Sequence, residues 1–313
     1  MRALKPREKR MLIYLGLLLA FIAWDTVRRR WSPSTVEETQ HYVIYSSATA
    51  EQTAQTGRVA EIVYAGYLEL ADRLDCEIRP HAKLKMKLFK DRDEFRHCNR
   101  GVGWAEAFYR KPYCCQYYSA DEIHPYHWMM HEATHQLNAE AAGLKLPQWL
   151  DEGLACYVST SRIVAGALAL GQIDTNTYPV WWLATMTLSD DLESDKGCGA
   201  VIALRRIVAG RGGPDIDDHV NLYYLHWWTL MHFLMEYQEG IYRPGLRHLL
   251  ADGAEPEAFE KYVGQIETVE RQWHAHVLGL KRELAGCVTR APEWAIEQAA
   301  DEPVEQPIES GQR

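Results

Sequence analysis

Residues 131–135 read His-Glu-Ala-Thr-His, and this short run constrains the chain more than any other. Two histidines four apart share a face only if the segment is helical, and there both imidazoles can hold one metal ion. Glu132, beside His131 on the helical wheel, can then reach a water on that ion as a general base. The surroundings supply the helix. Tyr126, Met130, Ala133, Leu137, Ala141 and Leu144 recur at intervals of three and four in a stripe that ends near Gly143. The histidines fall away from this stripe, so one face can pack while another looks into a cleft.

Two histidines leave a catalytic zinc one protein ligand short, because such sites typically carry three protein ligands and a water. Asp151 and Glu152 both follow in the run QWLDEGLA, on a helix that opens at Pro147, with Glu152 seventeen positions after His135. HExxH followed by W-L-x-E-G-L-A resembles the gluzincin metallopeptidases and, more narrowly, bacterial peptidase-MA-like domains. The resemblance covers residues 40–285 and is most specific over 131–157. It implies a thermolysin-like zincin fold, one Zn2+ per chain on His131, His135 and Glu152 in preference to Asp151, and Glu132 as catalytic base. It further implies a helix bearing a tyrosine that stabilises the oxyanion. The run YLHWWTLMHFL over 224–234 matches that form, which makes Tyr224 the candidate and Tyr223 the fallback. The implied substrate is an extended peptide or protein laid along an edge strand, and residues 113–118 are read as that edge.

The rest of the body, residues 41–285, reads as α+β: an α/β part over 41–124 with a small mixed sheet, active-site helices over 125–162, and a mostly helical part over 163–285. Strands are expected at 41–47, 83–89 and 109–119, the last interrupted by Pro112, with a helix at 50–74 between the first two. Beyond Gly197 the helical stretches are 199–209, 219–238, 243–250, 256–263 and 265–284. Residues 31–40 are polar, contain Pro33 and read as a linker, and 286–313 read as a disordered acidic tail.

Residues 1–30 read as an N-terminal membrane anchor or signal segment. Fourteen uncharged residues, MLIYLGLLLAFIAW, lie between Arg10 and Asp25 with basic clusters on both sides. The run passes into Trp24, Asp25 and three arginines instead of a small-x-small site, which favours an uncleaved span over a secreted form released by signal cleavage. The longer cluster before Met11 then places the N-terminus inside and the body outside the cytoplasm, periplasmic in a bacterium. The formal charge of −9 argues against nucleic acid as a partner. Seven cysteines without a CxxC motif would permit a disulfide in an exported body, with Cys98 and Cys114 or Cys115 as candidates.

Nearby polar residues carry open readings. His124, His127 and Asn138 can support the ligands from behind, line the cleft, or simply cap and face solvent. Cys156, one turn after Glu152, reads as core, and Trp181, Trp182, Trp227 and Trp228 read as packing. Functionally, the alternative to a peptidase is a catalytically inactive module that uses the same cleft to bind peptides or cell-envelope components. The water-rich flanks of the motif helix speak against an intramembrane protease.

Overall fold

The computed structural model describes residues 6–28, 31–102 and 105–286, so the expected tail lies outside the described residues beyond Gly286. The N-terminal run forms helix α1, Pro6–Arg28. Strands β1 (Thr35–Glu38) and β2 (Tyr42–Ser46) follow, then helix α2 (Ala50–Arg73), strand β3 (Leu84–Phe89) and short helix α3 (Arg92–Cys98). Strands β4 (Ala107–Arg110) and β5 (Tyr113–Tyr117) lead to helices α4 (His127–Gln136) and α5 (Gln148–Ser159). A hairpin of β6 (Ser161–Val164) and β7 (Ala167–Ile173) precedes helices α6 (Leu192–Gly197), α7 (Leu204–Ala209), α8 (Val220–Glu236), α9 (Arg243–Asp252), α10 (Pro256–Tyr262) and α11 (Ile266–Glu283). The chain is α+β, with one small mixed sheet.

That sheet has the order β1-β2-β3-β5-β4; β2, β3 and β5 run parallel and both edge strands antiparallel. Alternation sets its faces. Leu84, Met86 and Leu88 point into the main core with Tyr42 and Ile44, while Lys85 and Lys87 take the opposite face and stay half-buried. The core face is covered by α2, which buries Val59, Val63, Tyr67 and Leu70, and by α4, which buries Met130, Ala133 and Leu137. Thr49 and Gln52 close a capping box at the start of α2.

Several expectations are corrected here. Among the described residues no helix is long and apolar enough to cross a membrane. The 23 residues of α1 include a charged cluster at one end and Asp25 and Arg28 at the other. The uncharged stretch between them rises only about 21 Å, against about 30 Å of hydrocarbon. The expected single span, and the extracytoplasmic placement built on it, therefore do not stand. Residues 35–38, read as linker, form an edge strand instead, because Val36 and Glu38 pair with Tyr45 and Val43. The stretch read as one edge strand over 109–119 is a hairpin broken at Lys111-Pro112, so β5 lies inside the sheet and β4 is the edge. Cys98, Cys114 and Cys115 are all free, and the last two are buried on opposite faces of the sheet.

Candidate metal centre

Helix α4 packs against β4, β5, α2 and α5, which fixes the direction of its ligand face. Its last turn widens into a π-turn over Leu137–Ala141, a distortion frequent at functional sites. Gly143 follows at φ +67°, in the left-handed region, and turns the chain toward α5. Helix α5 in turn lies close against α8. A Cβ at Gly153 would come within 3.1 Å of the Trp227 carbonyl and crowd Met231, which explains why glycine follows Glu152. The close approach brings Glu152 and Tyr224, on neighbouring helices, to one cleft.

Three side chains converge there. His131 Nε2 lies 3.1 Å from Glu152 Oε2 and 3.1 Å from His135 Nε2, and His135 Nε2 lies 3.5 Å from Glu152 Oε2. These three residues are the one group among the described residues whose donor atoms gather closely enough to hold a metal ion. Burial raises the Glu152 carboxyl, but hydrogen bonds from His131 and His135 outweigh it and hold the group well below the usual carboxylate range. Burial likewise lowers His135, and its hydrogen bonds to Asp151 and Glu152 reverse the effect and raise it well above the ordinary value.

Glu132 lines the same cleft, about 350 Å³ in volume, together with Tyr109, Leu144, Leu146 and Tyr224. Burial pushes its carboxyl up, the two histidines and the Tyr109 backbone amide pull it down, and the net shift is upward. That amide belongs to edge strand β4, which forms one wall. Tyr224 also lines the cleft, its ring centroid 6.0 Å from that of His131. Burial and the Glu152 charge raise its phenol well above the usual range, so it keeps its proton as a donor. Tyr223 points away and donates to the Pro214 carbonyl at 2.9 Å.

Each histidine has a partner behind it. His135 Nδ1 lies 2.9 Å from Asp151 Oδ2, so Asp151, the alternative ligand in sequence, stands behind the triad and not in it. Cys156 is fully buried as expected of core, but its Sγ also lies 3.9 Å from His131 Nδ1. Asn138 donates to Asp151 Oδ1 at 2.7 Å and accepts from the Tyr67 hydroxyl at 2.7 Å. His127 and His124 do not reach the ligands: His127 Nδ1 donates to the His124 carbonyl at 2.9 Å beneath the helix. Sequence reasoning missed Tyr67 and Tyr109. Tyr67 falls in the apolar stripe of α2 and reads as packing, Tyr109 lies in a four-residue edge strand, and neither carries a local signal of proximity to residues 131–152.

No family model and no curated protein matches the chain. The case for the site therefore rests on its chemistry and geometry.

Proposed function

We propose that this chain is a zinc-dependent peptidase of the gluzincin type, with a thermolysin-like arrangement of its sheet and paired helices. One observation carries the reading. Ligands about 2.0–2.1 Å from a tetrahedral zinc stand about 3.3–3.4 Å from one another, and the triad's three edges measure 3.1, 3.1 and 3.5 Å. The donor set, two imidazoles and a carboxylate, is also the one zinc favours in hydrolytic sites. His131, His135 and Glu152 would hold the ion. Bound there, zinc would supply a Lewis acid for the scissile carbonyl and the charge that makes a water acidic near neutral pH.

The chain's own groups do the rest. Glu132 takes the proton from the attacking water and returns it to the leaving amine. Tyr224, whose phenol lines the same cleft, donates to the carbonyl oxygen as negative charge develops there. The free edge of β4 offers backbone groups to an extended peptide, a role expected of residues 113–118 and transferred to 107–110 by the sheet order. Such docking favours unfolded segments and flexible loops over folded targets.

The test is zinc stoichiometry and hydrolysis of a broad peptide library by the full chain, beside Glu132→Gln. One zinc per chain is expected for both, with turnover lowered by about 10²–10⁴ in the variant. Stoichiometric zinc without turnover by the unaltered chain would favour the binding-module alternative.

A further inference from the structure

Behind His135 runs a chain of hydrogen bonds that reaches a different layer of the fold. Tyr67, on α2, donates to Asn138 Oδ1; Asn138 Nδ2 donates to Asp151 Oδ1; and Asp151 Oδ2 faces His135 Nδ1, over distances of 2.7, 2.7 and 2.9 Å. Tyr67 and Asn138 are 3% and 2% exposed, so water does not compete for the bond between them. The directions are forced. Asn138 turns its amide nitrogen to Asp151 Oδ1, which leaves its oxygen to Tyr67. Tyr67 must then donate, and burial, which raises its phenol well above the usual range, keeps the proton in place. At the other end Asp151 Oδ2 accepts from His135 Nδ1, so a ring that gives up one proton on binding a metal keeps the one on Nδ1 and offers the Nε2 lone pair.

We propose that Tyr67, Asn138 and Asp151 form a positioning relay that fixes the tautomer and orientation of His135 as a ligand, anchored on α2 where that helix packs on the sheet. The inference rests on the zinc reading above. It adds Tyr67 and Asn138 as positioning residues outside the ligand triad. The π-turn gives the relay its shape, since Asn138 stands one turn beyond His135 with its backbone already bonded to Leu144 N at 2.8 Å. Partners of this kind behind a metal-bound imidazole are worth about 10- to 100-fold in metal affinity.

The experiment measures zinc affinity of the full chain by competition with a chelator, and the visible absorption of the cobalt-substituted chain as a report on ligand geometry. Asn138→Asp sets one carboxylate against another and is expected to weaken zinc binding by about 10- to 100-fold. Tyr67→Phe, which removes one hydroxyl from a filled site, is expected to weaken it by about tenfold or less. The double variant Asn138→Asp/Asp151→Asn restores an alternating order of donors and acceptors from Tyr67 to His135. It is expected to recover most of the affinity and the cobalt spectrum lost in Asn138→Asp. A merely structural role for the cluster would not produce that recovery. Zinc binding by the unaltered chain with no loss in Asn138→Asp, or a double variant no better than the single one, overturns the relay. If the unaltered chain binds no zinc, the functional reading itself fails, a result distinct from failure of the relay alone.

Discussion

The cluster of Asp195 with His274 and that of Glu152 with His131 and His135 both join histidine to a buried carboxylate, and they resolve the same electrostatic problem in opposite ways. In the helical half, both oxygens of Asp195 are met by donors: the Ser189 hydroxyl at 2.7 Å, the Ser189 amide at 3.0 and 3.1 Å, and His274 Nε2 at 2.8 Å. Glu270 beside it accepts from the Leu204 amide at 2.6 Å and from Lys196 at 3.1 Å. This cluster is complete in itself. At the candidate metal centre, two imidazole nitrogens 3.1 Å apart both face Glu152 Oε2, and two ring N–H groups cannot point at each other across that gap. A metal ion at their centre would meet both nitrogens and the carboxylate oxygen at once. A cluster that satisfies itself ties helices together, whereas one left short of a cation is where a metal is expected to bind.

The largest effect comes from exchanging the assay between the two clusters. His131→Ala should lower zinc affinity by more than about 100-fold, the upper end for removing a mere outer partner. His274→Ala should leave one zinc per chain and full turnover while lowering stability. Metal analysis and a peptidase assay on both variants check this. Loss of zinc from His274→Ala, or its retention in His131→Ala, would break the comparison.

A third buried carboxylate sharpens it. Glu122 accepts from Trp128 Nε1 at 3.1 Å, while its Oε2 sits 3.1 Å from His127 Nδ1, whose proton already goes to the His124 carbonyl. With neither cation nor enough donors, its remaining resort is a proton. Burial, aided by the Glu106 charge, pushes it up to about 7 against the hydrogen bonds of Trp128 and Ser119 and the charge of Arg92. The folded state therefore binds this proton more tightly than the unfolded chain does. Stability from this group is greatest below about 4.5 and falls as pH rises to about 7, at a cost of about 3 kcal/mol above that. Glu122→Gln should flatten that limb and stabilise the fold at pH 8 by up to about 3 kcal/mol, read by denaturant unfolding across pH. An unchanged pH profile would show that Glu122 ionises without penalty.

How much of this was legible in sequence follows from what kind of signal each residue carries. His131, Glu132 and His135 lie within one turn of helix, where spacing alone fixes their geometry, and the structure does bring Glu152 to them. The short edge strands were not legible. Four-residue β1 hides in a polar stretch, and β4 reads on into β5 because a proline at 112 fits an interruption within one edge strand as well as the turn of a hairpin. Asp151 looked like a rival ligand because adjacent carboxylates are equivalent in sequence; their roles separate only when α5 turns Glu152 inward and leaves Asp151 beside Asn138. The apolar run of α1 has basic flanks on both sides, as a span does, but not the apolar length of one.

The smallest of these effects lies in the self-satisfied cluster, where the expected change is one of stability alone. Burial raises the Asp195 carboxyl, but the hydrogen bonds from Ser189 and His274 outweigh it and leave the group below its ordinary value. A depressed folded-state value means that the carboxylate stabilises the fold above the unfolded value of about 3.9, and that this contribution disappears as pH falls through the folded one. Asp195→Asn keeps the shape but turns an amide N–H toward donors that need an acceptor. It should cost about 2 kcal/mol at pH 7, the range for leaving buried polar groups unpaired, and progressively less below pH 4. Denaturation midpoints of the two chains at pH 7 and pH 3 measure the difference. A gap that stays constant between the two pH values would mean that the ionised form of Asp195 contributes nothing and that its hydrogen bonds are made equally well by the protonated acid.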